Sequence, residues 1–436
     1  MSPSDAAIVA AVVFIWGTLS ARLERWDVTA PIIFVVAGLL LTHGPLSPLG
    51  FAPSRELVKA LAEITLVLVL FSDASRVRLR DLRADMGLCL RLLGIGLPLT
   101  MGLGTLLALW LFPGMSIWFA LLVGAALAPT DAALGSGMMV NPAVPARIRR
   151  LLNVESGLND GIATPVVLVA IAGAATAEHA ASVGPGRAAA ELALGVLVGV
   201  VIGGAGGFVV NVARRREWAE GGFAGSAVLA LALCAYACAL AVHGNGFIAA
   251  FVGGLAYGAA GGERGERLMP YVEETGALVS LLVWLAFGAI AVVPAFENLT
   301  WQAVLYAVLS LTVIRMAPVA LALAGARLGR LAVALIGWFG PRGLASVVFA
   351  LLALEDIGKS AEPAVTVIVF TILLSVIAHG LTADPLAHRY GPRLAITTAE
   401  PDDAGLPHLH VRRLIRRASR PSHAPPPKPG HAELPD

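Results

Sequence analysis

An acidic residue, Asp131, lies in the middle of the apolar stretch ALAPTDAALGSGMM. Ionisable side chains are costly to bury inside such segments, so they indicate functional positions. The neighbouring Pro129, Gly135 and Gly137 favour a local break in a helix. A broken helix frees backbone carbonyl groups and turns the ends of two half-helices toward the site, and both features suit a bound cation. The alternative interpretation is that Asp131 caps a kinked helix.

A second polar group follows in NVESGLNDGIATP, where Glu155, Ser156, Asn159 and Asp160 fall within two helical turns. Helical spacing places Ser156, Asn159 and Asp160 on one face, with Glu155 on an adjoining face. Hydroxyl and carboxylate oxygens are ligands for a hard cation such as Na+. A partly desolvated carboxylate also binds a proton when the cation leaves, and a group that holds either ion but not both enforces exchange. The alternative is a polar network between helices that binds no ion.

Two arginines also fall inside apolar stretches, Arg315 in LTVIRMAPVAL and Arg342 in GWFGPRGLASVV. Neither guanidinium loses its proton, so each needs an anionic or carbonyl partner. Glu155 is the partner expected for Arg315, because the two charges left unpaired would cost more than the pair. Arg342 follows Gly340 and Pro341, so we expect it at a second helix break, where it holds the carbonyl groups freed there. For both arginines a structural role is favoured over direct ion binding.

Helices that cross a membrane must position these residues. The sequence is 57% hydrophobic and 14% charged, and its apolar runs approach the length of about 20 residues that a spanning helix needs. A water-soluble fold cannot bury that much apolar surface, and the absence of period-two alternation excludes a β-barrel. We therefore expect an all-α polytopic membrane protein. The thirteen predicted spans are 5–20, 30–43, 55–72, 86–112, 116–139, 146–175, 188–212, 222–243, 246–260, 271–293, 300–325, 331–354 and 363–385.

Basic residues concentrate in every second loop between these spans. By the positive-inside rule these loops are cytoplasmic, and an odd number of helices then places the N-terminus outside and the C-terminus inside. Residues 1–395 are predicted to form one transmembrane domain, and the basic, Pro-rich residues 396–436 a disordered cytoplasmic tail. The net charge of +2 gives no indication of a nucleic-acid partner. The basic loops contain Arg22 and Arg25, Arg76 to Arg83, Arg147 to Arg150, Arg214 to Arg216, Arg264 and Arg267, and Arg327 and Arg330.

Other polar residues lie near the predicted ends of spans, where helix capping and snorkelling account for most such side chains. These residues are Glu63, Asp73, His243, His379 and Asp384. His379 and Asp384 could influence the response to pH, although such a histidine is more often simply hydrogen-bonded. The Gly-rich stretch 195–207 is expected to be a helix-packing face, because no strand precedes it as in a phosphate-binding loop.

Five stretches, in this order, resemble the NhaP-like sodium/proton exchangers, the CPA1 branch of the monovalent cation/proton antiporters. They are LVLFSDASRVRLRDLR, APTDAAL, LNVESGLNDG, GPRGLASVV and SVIAHGLTADP, and the resemblance extends over roughly residues 5–390. The TD pair followed by ESxxND is its specific part. In the family the residue after TD is usually proline, whereas this chain has Ala132. The resemblance implies an inverted-repeat fold of thirteen helices with broken, crossed helices, a homodimer, and a core domain that moves against a dimer domain.

The same resemblance implies roles for the polar residues. Four of them would contact the cation, with Asp160 as the essential carrier shared between cation and proton. Three would organise the site, and Arg342 would belong to the second crossed helix. The pair Asn159-Asp160 replaces the two adjacent aspartates of electrogenic relatives, which implies electroneutral one-for-one exchange. The cation contacts are Thr130, Asp131, Ser156 and Asp160, and the organising residues are Glu155, Asn159 and Arg315.

We therefore expect an antiporter of the cell membrane that exchanges Na+ or Li+ for H+, without a cofactor beyond the transported ions. K+ is a competing substrate, because hydroxyl and carboxylate oxygens do not separate Na+ from K+ unless the cavity size is known. A Na+-coupled solute symporter would need a further set of polar residues, which the spans do not offer. An intramembrane enzyme would have to use Ser156 with Asp131, and a nucleophilic serine needs an oriented base.

Overall fold

The computed structural model describes residues 3–23, 29–47, 50–51, 53–77, 85–131, 134, 144–179, 185–218, 221–326 and 328–397. The regular structure of these residues is helical throughout, and a π-helical turn, Leu92–Gly96, joins two of the helices. The helices are α1 Pro3–Leu23, α2 Ala30–His43, α3 Arg55–Ser75, α4 Met86–Arg91, α5 Leu97–Leu111, α6 Ile117–Ala126, α7 Ala146–His179, α8 Pro185–Arg215, α9 Gly221–Ala241, α10 Gly246–Glu266, α11 Met269–Ile290, α12 Val292–Glu297, α13 Trp301–Leu311, α14 Val313–Ala322, α15 Arg330–Trp338, α16 Leu344–Ile357 and α17 Glu362–Thr397.

Eight helical segments of the described residues are long and apolar enough to cross a membrane, and α2 and α6 are shorter apolar helices. Every predicted span overlaps a helix, and the prediction for 30–43 coincides with α2. The count of thirteen spans and the orientation of the termini stay predictions. α17 continues to Thr397, beyond the predicted end at residue 385. The rest of the predicted tail, from residue 398, lies outside the described residues.

Side-chain caps begin several of the helices, as the sequence favours. Ser54, Ser116 and Thr300 each precede a helix and accept a hydrogen bond from the backbone N–H three residues later, at 3.3 to 3.4 Å. Asn245 caps α10 in the same way, at 3.0 Å from the N–H of Ile248. Such caps satisfy N–H groups that have no partner inside the helix. Their polar residues therefore fix where the apolar runs become helical.

The helices pack as two bundles. The first bundle consists of α1 to α3 and α8 to α11, and the second bundle of α4 to α7 and α12 to α17. α3 lies between them: it packs on α10 and α11 in its own bundle and on α7 and α16 in the other. Its residues 66–71 are all at most 2% exposed, as expected for a helix that is covered on every side.

Glycines allow the closest helix contacts in the first bundle. Gly195, Gly199, Gly203 and Gly207 recur at every fourth position of α8 and face α10. A Cβ atom on Gly199 would lie 2.7 Å from the carbonyl oxygen of Ala249, nearer than side chains approach. The packing face predicted for 195–207 is therefore present, and it has the small-residue spacing typical of membrane helices.

Besides the single residue Ala291, which separates α11 from α12 in span 271–293, three predicted spans are interrupted in the structure. In span 116–139, α6 ends at Ala126 and residues 127–131 are not helical, and span 331–354 is divided between α15 and α16. Pro129 and Pro341, which lack the N–H that a helix needs, lie in these two interruptions. The third interruption, at Thr312 in span 300–325, separates α13 from α14 and was not predicted.

Candidate functional site

The two predicted helix breaks meet inside the second bundle. The first break follows α6 and reaches Asp131, and the second break, residues 339–343, separates α15 from α16. The backbone N–H of Asp131 donates to the carbonyl oxygen of Pro341 at 2.8 Å. The hydroxyl of Ser346, in the first turn of α16, donates to the carbonyl oxygen of Ala126 at 2.6 Å, so each break binds the other.

Two glycines of GPRG permit this crossing. A Cβ atom on Gly340 would lie 2.9 Å from Cγ2 of Thr130 and 2.5 Å from Nε of Arg315. A Cβ atom on Gly343 would collide with the carboxylate of Asp131. Both positions therefore need glycine because another chain segment approaches too closely for a side chain.

Arg342 occupies the centre of the crossing and is completely buried. Its Nη1 donates to the carbonyl oxygens of Ala128 and Pro129 at 3.2 and 3.3 Å, and its Nη2 donates to that of Ser310 at 3.4 Å. The expectation that Arg342 holds freed carbonyl groups is confirmed. The expectation that these belong to its own break is wrong, because they belong to the first break and to α13. Ser310 lies two residues before the interruption at Thr312, which explains why its carbonyl group is available.

Asp131 contacts the start of α16. Its Oδ2 accepts a hydrogen bond from the backbone N–H of Leu344, the first residue of that helix, at 3.1 Å. A carboxylate at a helix N-terminus satisfies an N–H group and faces the positive end of the helix dipole. The capping alternative is therefore present in the structure, but the capped helix is α16 and not a continuation of α6.

The first break is joined to α7 by a buried polar network. Asn159 Nδ2 donates to Thr130 Oγ1 at 2.7 Å, and the hydroxyl oxygens of Thr130 and Ser156 lie 3.0 Å apart. All three side chains are at most 6% exposed. Asn159 Oδ1 has no hydrogen-bond partner among the described residues. Asp160 follows Asn159 in α7 and is 8% exposed. The structure thus brings Thr130, Ser156 and Asn159 together, with Asp160 beside them.

Glu155 and Arg315 form the ion pair expected from the sequence. Arg315 Nη1 lies 2.6 Å from Glu155 Oε1, and both side chains are almost completely buried. Within the described part of the chain, Glu155 Oε2 and the Nε and Nη2 atoms of Arg315 have no hydrogen-bond partner. The pair cancels two charges that would be costly to bury singly. Glu155 is therefore held beside a permanent positive charge.

Two residues given little weight in the sequence lie near these groups. Asp73 of α3 faces α7, where a Cβ atom on Gly157 would lie 3.8 Å from its Cβ. Gly157 and Asp160 share a helix face, so Asp73 adds a carboxylate one turn from Asp160. His379 was expected near a span end, but it is 1% exposed and contacts the end of α15. In the sequence, Asp73 follows a long apolar run, and this position could have indicated an acid close to the site.

The remaining polar residues lie elsewhere. Glu63 is half-buried in α3, and His243 is exposed in the turn after α9. The side chain of Asp384 lies outside the described residues, as do Ala132, Gly135 and Gly137. The departure from the family at Ala132 therefore has no structural description.

An ion pair links the two bundles at the opposite end of α16 from the crossing. Lys59 in the first turns of α3 lies 2.6 Å from Asp356 near the end of α16, and the two side chains are 42% and 38% exposed. Arg76, just after α3, pairs with Glu273 of α11 inside the first bundle. Asp85, before α4, binds Arg147 and Arg150 of α7 at 2.8 and 3.2 Å inside the second bundle.

Comparisons with known proteins agree with this arrangement. Residues 8–389 match the transmembrane family described as sodium/hydrogen exchanger. The K+/H+ antiporter NhaP2 of Shewanella sp. (strain MR-4) is 28% identical over 256 residues, which are 58% of this chain and 43% of that protein. An uncharacterized Na+/H+ exchanger of Mycobacterium tuberculosis is 32% identical over 221 residues, which are 48% of this chain and 36% of that protein. The matches thus span less than half the length of these curated relatives.

The structure of the sodium proton antiporter MjNhaP1 from Methanocaldococcus jannaschii at pH 8 has the same fold. Its TM-score is 0.71 at 20% identity, and the superposition covers 89% of this chain and 98% of that one. The fold and the family match over residues 8–389 together identify a multi-pass membrane protein. The chain belongs to the sodium/hydrogen exchanger family.

Proposed function

We propose that this protein exchanges Na+ for H+ across the cell membrane, with Asp160 binding the cation and the proton in turn. The observation that carries this proposal is the meeting of two helix breaks beside the buried network of Thr130, Ser156 and Asn159. Irregular backbone at this depth is tolerated mainly around a cavity that serves an ion or a substrate.

The charges of the site support one-for-one exchange. Glu155 is paired with Arg315, Arg342 is held by three carbonyl oxygens, and Asp131 caps α16. In this proposal Asp160, the carrier that the ESxxND motif implies, holds one monovalent cation when ionised and one proton when neutral. Each cycle moves one positive charge in each direction, so the exchange is electroneutral.

Thr130, Ser156 and Asp131 are the proposed further ligands of the transported cation. Li+ is a proposed substitute for Na+. K+ is the second candidate substrate, and the relatives named K+/H+ antiporters are the specific observation in its favour. Side-chain oxygens accept either ion, and the size of the occupied cavity decides between them. The proposed activity needs no cofactor and no enzymatic step.

The two bundles suggest how the site reaches both sides of the membrane. The breaks and α7 lie in the second bundle, and α3 contacts α7 and α16 from the first bundle. Movement of the second bundle against the first would therefore expose Asp160 alternately. We also propose a homodimer with the N-terminus outside and the C-terminus in the cytoplasm. α1 leaves Phe14 and Ile15 71% and 54% exposed, an apolar surface suited to lipid or a second copy.

Reconstituted liposomes with an internal pH-sensitive dye test the proposal. Addition of Na+, Li+ or K+, but not choline, should dissipate an imposed pH gradient, and a clamped membrane potential should not change the rate. Asp160→Asn should abolish the cation-dependent signal, whereas Glu297→Gln, an exposed carboxylate at the end of α12, should retain it. Full exchange by Asp160→Asn would overturn the carrier assignment. No cation-dependent signal in the wild type would favour a solute symporter or an intramembrane enzyme.

A further inference from the structure

Two polar side chains of α17 face the second helix break. Ser375 and His379 lie one helical turn apart and are 0% and 1% exposed. The imidazole ring stacks on the indole of Trp338, with 5.2 Å between ring centroids and 28° between planes. Neither residue belongs to the proposed cation site, so their burial at this point needs a separate explanation.

Their hydrogen bonds form a continuous relay across the break, from Arg342 through Ser375 and His379 to Trp338. The backbone N–H of Arg342 donates to Ser375 Oγ at 2.8 Å. Ser375 Oγ lies 3.1 Å from His379 Nδ1, and His379 Nε2 lies 2.8 Å from the carbonyl oxygen of Trp338. The relay therefore begins at Arg342, within the break, and ends at Trp338, the last residue of α15.

The two ends of this relay have a defined relationship in an α-helix. In an unbroken helix each N–H donates to the carbonyl oxygen four residues earlier. The N–H of Arg342 and the carbonyl oxygen of Trp338 are such a donor and acceptor. Ser375 and His379 therefore bind both ends of one hydrogen bond that an intact helix would make here.

One arrangement of protons gives each of these hydrogen bonds a donor and an acceptor. Ser375 Oγ accepts from Arg342 and donates its own hydrogen to Nδ1, and a neutral imidazole protonated at Nε2 donates to Trp338. A second ring proton would face the carbonyl oxygen of Ser375, 2.8 Å from Nδ1, and would end the donation from the Ser375 hydroxyl.

We propose that Ser375 and His379 are positioning residues that hold the second break open by replacing this helical hydrogen bond. They thereby keep Arg342 at the carbonyl groups of the first break and the start of α16 at Asp131. As a role in transport, this inference rests on the proposed cation/proton exchange.

The protein offers matched variants for a test of this relay. Ser375→Ala and His379→Leu each interrupt the relay, and the double variant removes it. His379→Gln keeps one donor and one acceptor. Thr382→Val is the control, because Thr382 Oγ1 accepts from Trp338 Nε1 at 3.1 Å and so joins the same two helices without entering the relay.

In the liposome assay, Ser375→Ala and His379→Leu should each lower the maximal exchange rate about tenfold or more, because small displacements in a site are costly. The double variant should be no slower than the slower single variant, since both act through one relay. His379→Gln should recover most of the rate, and Thr382→Val should stay within about twofold of wild type. Single variants at control rates, multiplied effects in the double variant, or no recovery in His379→Gln would overturn the inference.

A second measurement does not depend on transport. Amide hydrogen exchange across residues 338–344 should become faster in Ser375→Ala and His379→Leu but not in Thr382→Val, because the segment loses its side-chain partners. Unchanged exchange in both relay variants would overturn the inference even if transport were lost. Absence of transport in the wild type, with the expected pattern of hydrogen exchange, would overturn the proposed function and leave the relay standing.

Discussion

The carboxylate of Asp131 accepts a hydrogen bond from the backbone N–H of Leu344, 213 residues further along the chain. One side chain of the first break therefore binds the start of α16. The ligand role proposed for Asp131 and this capping role make different demands on the side chain, so substitutions separate them.

Asp131→Ala should lower the free energy of unfolding by about 1 kcal/mol, the usual cost of a lost N-cap. Asp131→Asn should lower it less, because the amide oxygen still accepts from Leu344. Both variants should raise the Na+ concentration for half-maximal exchange about tenfold or more if the charge also binds the cation. Thermal unfolding in detergent and the liposome assay measure the two effects. An unaltered Na+ dependence in Asp131→Asn would leave Asp131 with the capping role alone.

Glu155 and Arg315 should stabilise the fold only when both are present, so loss of one charge should cost more than loss of both. Glu155→Gln should lower the free energy of unfolding by about 3–5 kcal/mol, because it leaves Arg315 buried without its anion. The double variant Glu155→Gln with Arg315→Met should recover part of this loss. The exposed pair Arg187–Glu191 is the control, since Glu191→Gln should cost at most about 1 kcal/mol. Equal losses in the single and double variants would show that the charges are not coupled.

Gly343→Ala should disrupt the crossing, because the new Cβ atom would collide with the carboxylate of Asp131. We expect a lower unfolding temperature and at least about a tenfold loss of maximal exchange rate. Gly102→Ala in α5 is the control, since no atom lies within 4 Å of the added Cβ. Helical alanine is intrinsically more stable than glycine, so this control should unfold at the wild-type temperature or above. Wild-type exchange by Gly343→Ala would contradict the close approach of the two breaks.

A link between Lys59 and Asp356 should stop transport if the bundles move against each other. With Cys89, Cys234 and Cys238 replaced by serine, Lys59→Cys with Asp356→Cys should react with a short bifunctional thiosulfonate reagent. Exchange should cease on cross-linking and return on reduction.

The matched control for this experiment is Arg76→Cys with Glu273→Cys, which joins α3 to α11 inside the first bundle. Cross-linking there should leave exchange intact. Continued exchange by fully cross-linked Lys59→Cys with Asp356→Cys would mean that the two bundles do not separate at this position during transport.

The burial of the polar residues at the candidate site could be predicted from the sequence better than their hydrogen-bond partners. Apolar runs and prolines indicated the helices and the two breaks, and opposite charges at similar depth indicated the pairing of Glu155 with Arg315. The partners of Arg342 could not be predicted, because hydropathy does not specify which segments cross. The interruption at Thr312 has no proline or glycine beside it, so the sequence there did not indicate a helix break.

The contacts of His379 also could not be predicted from the sequence. The apolar run suggested that the span ends at residue 385, so a histidine six residues earlier was placed near the membrane surface. α17 in fact continues for twelve residues beyond that point. The contact of His379 with Trp338 depends on how α15 and α17 pack, and that packing is a tertiary property. The spacing of Ser375 and His379 on one face was visible, but not the donor and acceptor that they join.

The position of Arg342 has a consequence for how ion preference can change. A ring of backbone carbonyl groups replaces the hydration shell of K+ in channel filters, but here the carbonyl groups of Ala128 and Pro129 already bind a guanidinium. In the proposed site, the water that a cation loses would then be replaced largely by side-chain oxygens such as those of Thr130 and Ser156. Side chains change by single substitutions while a backbone ring does not, so Na+ and K+ exchangers can arise on this scaffold without any change in its helix breaks.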